Sequence, residues 1–433
     1  MENITVHASR GLRGTIDIPG DKSISHRSVM FGSIAEGRTV ITNFLESEDC
    51  ISTADCFREM GVKITRIGEK VEIKGAGLHG LKAPSRILDA GNSGTTLRLM
   101  MGILAGQPFT SRITGDASLQ RRPMLRVVAP LREMGVMVEG KENGNFCPLA
   151  ITGGKLKPLD FVSNVASAQA KSCILLAGLY ADGVTSVKEP AKSRDHTERM
   201  LAEFGVKLRE VKGKISIRGG QALKGCAITV PGDISSAAFF LIAGALVPNS
   251  EITVKNVGIN PTRTGVLEVL KQMGAKLVIK KRKGRGEPSA DITVRSSKLK
   301  GVTVKGSIIP RLIDEIPILA VAAAMAKGKM VFKNIGELRV KESDRIKTVC
   351  SELSKFGVKT KEMKDSMIIY GNSKPKGALT LSHGDHRVAM LAAVLGLVAE
   401  GETRVYDTAC IKTSFPEFEN LLGKLQVRHA GNY

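Results

Sequence analysis

The chain has 433 residues, too many for one ordinary hydrophobic core, so two domains are expected. Lysines and arginines number 64 against 42 aspartates and glutamates; the formal charge of +22 points to acidic partners, while 4% aromatics and no tryptophan argue against a base-stacking nucleic-acid surface. Seven scattered cysteines without a C-x-x-C pair argue against a disulfide framework or zinc site, and no apolar run reaches a membrane span, so a soluble cytoplasmic protein with no membrane partner is expected.

The first element opens at Pro19-Gly20-Asp21-Lys22-Ser23-Ile24-Ser25-His26-Arg27, a polar loop feeding a small-residue apolar run. Such a helix start gathers backbone N–H groups and cations at one end, which suits an anion. The helix should run to about residue 35, followed after Gly37 by a strand over 38–44 and a second helix over 49–60. The same order returns five times. Asp89-Ala90-Gly91-Asn92-Ser93-Gly94-Thr95-Thr96 opens the second unit, whose second helix is expected over 122–134. Ser163 to Lys171 opens the third, with a strand over 184–187. Pro231-Gly232-Asp233-Ile234-Ser235-Ser236 opens the fourth, with a second helix over 263–273 and a basic insertion over 280–287 that reads as a solvated hairpin tip. Pro310-Arg311-Leu312-Ile313-Asp314-Glu315 opens the fifth, with a second helix over 341–356, and Ser382-His383-Gly384-Asp385-His386-Arg387 opens the sixth.

These openings recur about every seventy residues, and a unit of that size cannot bury itself alone. Three units around shared buried helices per domain is the expected solution, with the N-terminal segment completing the second domain. The expected domains are 1–20 plus 232–433, and 21–231, with the six polar loops facing a cleft between them.

The loops bring nine cations into equivalent positions: Lys22, Arg27, Arg121, Arg122, Arg194, Lys341, Arg345, Arg387 and Lys412. Arginine suits bidentate contact with carboxylate or phosphate, and lysine can also exchange protons. Three carboxylates, Asp314, Glu342 and Asp344, sit among them as candidates for proton transfer, or alternatively as ion-pair partners and helix caps. Gly91-Asn92-Ser93-Gly94 lacks the spacing of either common nucleotide loop, and no metal-binding spacing is present.

Taken in order, Gly20-Asp21-Lys22-Ser23-Ile24-Ser25-His26-Arg27, Gly91-Asn92-Ser93-Gly94-Thr95, Arg122-Pro123, Ser167-Ala168-Gln169, Arg194-Asp195-His196-Thr197-Glu198, Lys341-Glu342-Ser343-Asp344-Arg345, Gly384-Asp385-His386-Arg387 and Lys412-Thr413-Ser414-Phe415-Pro416 resemble the enolpyruvyl transferase family over essentially the whole chain. The resemblance implies an α/β fold of two inside-out, barrel-like domains, each of three repeats, with the active site in the interdomain cleft. It implies transfer of the enolpyruvyl group of phosphoenolpyruvate to the 5-hydroxyl of shikimate 3-phosphate, releasing phosphate, with no cofactor and no metal. On the same ground Lys22, Ser23, Arg27, Ser167, Ala168, Gln169, Arg194, Asp314 and Lys341 would hold shikimate 3-phosphate. Lys22, Gly94, Arg122, Gln169, Arg345, Arg387 and Lys412 would hold phosphoenolpyruvate, with Asn92 and His386 supporting. Asp314, Glu342 and Lys22 would be catalytic. Gly94, where glyphosate-tolerant members commonly carry alanine, implies glyphosate sensitivity. Two alternatives remain open: the sister reaction on UDP-N-acetylglucosamine, and an RNA-end-processing or nucleic-acid-binding protein of related repeat fold. A monomer acting on small molecules, without nucleic acid, is expected.

Overall fold

Six runs of small and apolar residues form helices that are buried on nearly every side. They are Lys22–Ile34, Gly94–Leu104, Ala168–Gly178, Ile234–Leu246, Ile316–Met325 and His386–Gly396. A helix that is apolar all round has no solvent face and belongs inside a core. Small residues let these helices approach closely: a Cβ added at Gly102 would lie 2.2 Å from the Cys173 carbonyl oxygen of a neighbouring helix. By contrast Glu48–Glu59, Gly265–Met273 and Arg345–Lys355 bury one stripe and keep charge on the other.

The computed structural model describes residues 2–284 and 286–426. The chain divides into two compact units, Gly20–Val230 and Met1–Pro19 with Pro231–Tyr433, each around its own apolar core. Among the described residues the strands form six sheets, three in each unit.

In the unit Gly20–Val230, Ala35–Thr42 pairs in parallel with Ala227–Thr229 and antiparallel with Lys70–Ala76, which pairs with Lys63–Ile67. Thr110–Thr114 stands likewise between Leu88–Asp89 and Phe146–Thr152, and Val184–Lys188 between Asp160–Val162 and Lys214–Arg218. In the other unit Glu251–Gly258 has Arg13–Asp17 as its parallel neighbour and Ser289–Arg295 as its antiparallel one. Lys329–Phe332 lies between Thr303–Val304 and Met367–Tyr370. Glu402–Tyr406 lies between Leu379–Leu381 and the N-terminal strand Asn3–His7. A parallel connection needs a crossover, and in four of the six sheets the buried helix preceding the central strand supplies it; Ala35–Thr42 and Glu251–Gly258 instead take their parallel neighbours from distant parts of the chain.

Several boundaries differ from the sequence reading. The strand expected over 38–44 is Ala35–Thr42, and Asn43 turns away with φ of 56°. The helix expected over 122–134 begins at Leu125, after a 3-10 turn at Leu119–Arg121. Pro123 is the reason: the residue before a proline is pushed out of the helical region, and Arg122 is extended at φ −89°, ψ 134°. The helix expected over 341–356 starts only at Arg345, because the Asp344 side chain caps it by accepting from the Lys347 N–H. The helix expected over 263–273 is Gly265–Met273. Residues 282–284 are exposed between the paired strands Lys276–Lys281 and Ser289–Arg295. Among the described residues no helix is long and apolar enough to cross a membrane.

Candidate active site

Five of the six buried helices begin at a side-chain cap: Asp21, Ser93, Ser167, Asp233 and Asp385 each accept from a backbone N–H in the first turn. This fixes the loop before each helix, and Lys22, Ser23, Arg27, Gly94, Ser167, Ala168, Gln169 and Arg387 sit on those loops or within the first turn or two beyond.

In the unit Gly20–Val230, Lys22 follows the Asp21 cap and its ammonium lies 2.5 Å from Asp49 Oδ2, a buried carboxylate. One turn on, Arg27 is also buried. Its Nε donates to Thr197 Oγ1 at 2.8 Å, its Nη2 to Ser172 Oγ at 2.9 Å and its Nη1 to the Ser23 carbonyl at 3.0 Å. Between Lys22 and Arg27 stands His26, whose Nδ1 is 2.6 Å from Thr53 Oγ1. Burial, with Lys22 and Arg27 nearby, holds the imidazole well below its usual pKa and therefore neutral.

The Gly94 loop forms a second cluster. Arg122 donates through Nη2 to Asn92 Oδ1 at 2.7 Å and through Nη1 to the Asn92 carbonyl, while Asn92 Nδ2 donates to Asp116 at 2.7 Å. Arg98 donates to Gln169 Oε1 at 2.8 Å and to the Pro123 carbonyl at 3.1 Å, and Gln169 Nε2 donates to Thr95 Oγ1. A Cβ at Gly94 would meet Arg98 Nη1 at 2.9 Å and Arg122 Nη1 at 3.6 Å, so two guanidinium groups converge where this residue has no side chain. Gly94, Arg122, Gln169 and Asn92 are thus brought together. Ser167 and Ala168 lie at the start of the helix that carries Gln169, and Arg194 is half-buried beside Ser193 and Asp195. Arg121 is exposed.

In the other unit the centre is Arg345, with a side chain only 1% exposed. Its Nε donates to Asp385 Oδ2 at 2.8 Å and its Nη2 to Asp385 Oδ1 at 3.2 Å. Nη2 also lies 2.5 Å from Glu342 Oε2, and Nη1 donates to Asp314 Oδ1 at 3.3 Å. Asp314 Oδ1 is 3.4 Å from the Lys341 ammonium, and Arg387 Nη1 donates to the Asp314 carbonyl at 2.8 Å. Burial alone would lower the Arg345 pKa, but Asp385 and Glu342 outweigh it and raise it, so the guanidinium stays charged. Burial would raise the Asp385 pKa, and Arg345 more than offsets that, holding the carboxyl below its ordinary range.

Asp314, Lys341, Glu342, Arg345 and Arg387 therefore form one connected group. Glu315, adjacent to Asp314, turns instead to Ser235 Oγ and to Arg263, and Asp344 pairs with Arg339 at 2.7 Å besides capping its helix. Of the three carboxylates singled out in the sequence, Asp344 is thus engaged as a cap and ion pair. His386 is buried at the first position of its helix. Lys412, half-exposed, pairs with Glu2.

Four charged residues of these clusters escaped the sequence reading: Asp49, Arg98, Asp116 and Asp385. Arg98 lies one helical turn beyond Gly94, a spacing that puts both on one face. Asp385 lay inside a quoted motif, but its partner is forty residues away in the sequence. Among the described residues no group of three or more His, Cys, Asp or Glu could hold a metal ion.

A family model described as EPSP synthase (3-phosphoshikimate 1-carboxyvinyltransferase) matches residues 6–422. The 3-phosphoshikimate 1-carboxyvinyltransferase of Pelotomaculum thermopropionicum is 54% identical over 427 residues, covering 98% of this chain and 99% of the relative. That of Bacillus cytotoxicus is 55% identical over 421 residues, covering 97% and 99%. A solved EPSP synthase from Acinetobacter baumannii superposes with a TM-score of 0.86 at 46% identity, covering 98% of each chain.

Proposed function

Because the chain belongs to the EPSP synthase (3-phosphoshikimate 1-carboxyvinyltransferase) family, it transfers the enolpyruvyl group of phosphoenolpyruvate to the 5-hydroxyl of shikimate 3-phosphate, and we propose the following residue roles in that reaction. Shikimate 3-phosphate is held by Lys22, Ser23, Arg27, Ser167, Ala168, Gln169, Arg194, Asp314 and Lys341. Phosphoenolpyruvate is held by Lys22, Gly94, Arg122, Gln169, Arg345, Arg387 and Lys412. Asp314 takes the proton from the 5-hydroxyl as its oxygen attacks C2 of phosphoenolpyruvate, while Glu342 and Lys22 deliver a proton to the methylene carbon. The product of addition is a tetrahedral ketal phosphate. Loss of a methyl proton to the same groups then expels phosphate and restores the double bond. The guanidinium groups stabilise charge as it gathers on the leaving phosphate, which needs fixed, desolvated donors.

The observation that carries this reading is the Arg345 cluster, in which a buried guanidinium is held by three carboxylates, two of them assigned to proton transfer. The family match favours neither the UDP-N-acetylglucosamine reaction nor nucleic-acid binding. We further read each unit as an inside-out, barrel-like domain of three repeats, with residues 1–19 completing the second; the recurring sheet pattern and the buried helices support this. The protein is read as a cytoplasmic monomer that uses no cofactor. Phosphate release with both substrates, each then omitted in turn, tests the reaction: release that persists without shikimate 3-phosphate would refute it.

A further inference from the structure

A lysine with no place in the proposed chemistry lies under the Ser167 loop. Lys171, on the helix Ala168–Gly178, has a side chain only 3% exposed and reaches two acids, Glu189 Oε2 at 3.1 Å and Glu198 Oε1 at 2.8 Å. Glu189 is a junction. Its Oε1 accepts from the Ser167 backbone N–H at 2.9 Å, and its Oε2 accepts from Ser193 Oγ at 2.8 Å and from the Ser193 N–H at 3.4 Å. Glu198 differs: among the described residues neither of its oxygens accepts a well-formed hydrogen bond, and Lys171 is the cation beside it.

The neighbours of this trio are the sugar-phosphate residues. Ser167 begins the Ser167-Ala168-Gln169 loop, Ser193 precedes Arg194, and Thr197, next to Glu198, accepts from Arg27. Ser172, next to Lys171, accepts from Arg27 as well and is 2.7 Å from Thr197. We propose that Lys171, Glu189 and Glu198 are positioning residues that set the spacing between the Ser167 loop, Arg194 and Arg27, and hence the affinity for shikimate 3-phosphate. The proposal rests on the assignment of those three to that substrate.

The charge balance supplies the reason. One ammonium lies between two carboxylates, and only Glu189 has other donors. Without Lys171, Glu198 is a buried charge beside another of the same sign, and the two loops are driven apart or one acid takes a proton. Lys171→Met should therefore raise KM for shikimate 3-phosphate about tenfold, equivalent to ~1.4 kcal/mol, with KM for phosphoenolpyruvate and kcat within about threefold. Adding Glu198→Gln removes the unpaired charge while leaving Glu189 its three donors, and should return that KM to within about threefold of wild type. If Lys171→Met does not fold, Glu189→Gln gives the same reading, since its amide places a donor against Ser193 or Lys171. Unchanged KM for shikimate 3-phosphate in Lys171→Met overturns the proposal. So does a parallel loss in both KM values and in Tm that Glu198→Gln fails to rescue, which marks a merely structural role. Wild-type protein that releases no phosphate with both substrates sinks the underlying assignment instead.

Discussion

Asp385→Asn isolates what the Arg345 cluster depends on. Asparagine keeps the shape and remains a good helix cap, so the Arg387 N–H that Asp385 accepts at 2.9 Å can still be satisfied. The other oxygen cannot be replaced. Asp385 Oδ2 accepts from Arg345 Nε at 2.8 Å and from Ser343 Oγ at 3.0 Å, and an amide nitrogen there would set a donor against the Arg345 N–H, even if the Ser343 hydroxyl turned to accept. Both partners are out of water, with side chains 1% and 0% exposed, so solvent does not compensate. Breaking a buried ion pair from one side costs roughly 3–5 kcal/mol; the surviving pairs to Glu342 and Asp314 bring the expected loss to the lower end, about 3 kcal/mol. For a unit of this size that is a fall in Tm of roughly 6–12 °C. Asp385 has a depressed pKa in the folded state, so its contribution is present above the unfolded value near ~3.9 and is lost as pH falls through the lower, folded one. The penalty of the substitution should thus be flat from about pH 5 to 8 and shrink only below about 4. Thermal melts across that range and phosphate release at saturating shikimate 3-phosphate are the assays, with kcat/KM for phosphoenolpyruvate expected to fall about a hundredfold. A variant with unchanged Tm and kcat/KM within threefold would show that Arg345 is held without Asp385, and the argument would fail.

Asp314→Asn should lower kcat by about 10²–10⁴ while substrate affinity, measured calorimetrically, changes far less; near-normal turnover would rule out Asp314 as the base. Gly94→Ala puts a methyl 2.9 Å from Arg98 Nη1, which Gln169 and the Pro123 carbonyl restrain, so KM for phosphoenolpyruvate should rise severalfold and glyphosate inhibition should weaken further. Equal inhibition of both variants in competition kinetics would count against that crowding. Lys22→Met strips the buried Asp49 of its ammonium and removes a residue assigned to both substrates, so kcat/KM should fall further than for any single arginine contact; a smaller loss than for Arg122→Met would contradict the dual role.

The repeated openings were legible because their chemistry is local. An aspartate or serine ahead of a small-residue run specifies a cap and a buried helix, and Asp21, Ser93, Ser167, Asp233 and Asp385 all cap as such a pattern dictates. The delayed helix after Arg122 was missed, although its cause is just as local: the helix was expected from 122, while Pro123 pushes its immediate neighbour out of the helical region. Partners across the packing were not legible. Arg98 meets Gln169 across two helices, and Lys171 meets Glu189 and Glu198 from a loop and a helix further on. Nothing in the local pattern tells a buried lysine from one that snorkels to solvent; that depends on which elements pack together.

The distribution of charge also changes the meaning of the +22 total. That excess suggested anionic ligands, yet the Arg345 cluster itself is balanced: Arg345, Lys341 and Arg387 face Asp314, Glu342 and Asp385. A bare group of three cations would repel itself and spread, whereas the carboxylates hold Arg345 and Lys341, and the Asp314 carbonyl holds Arg387, before any ligand arrives. An incoming phosphate or carboxylate must then compete for the same N–H donors. Glu342 is the carboxylate most open to such exchange, since its side chain is 20% exposed while Asp385 is fully buried. Displacing Glu342 from Arg345 would leave its carboxylate beside the bound anion, where the proposed chemistry has it carry a proton to and from the methylene carbon. On the proposed assignment of Glu342 to proton transfer, an anion binding at Arg345 would first have to displace it from that guanidinium.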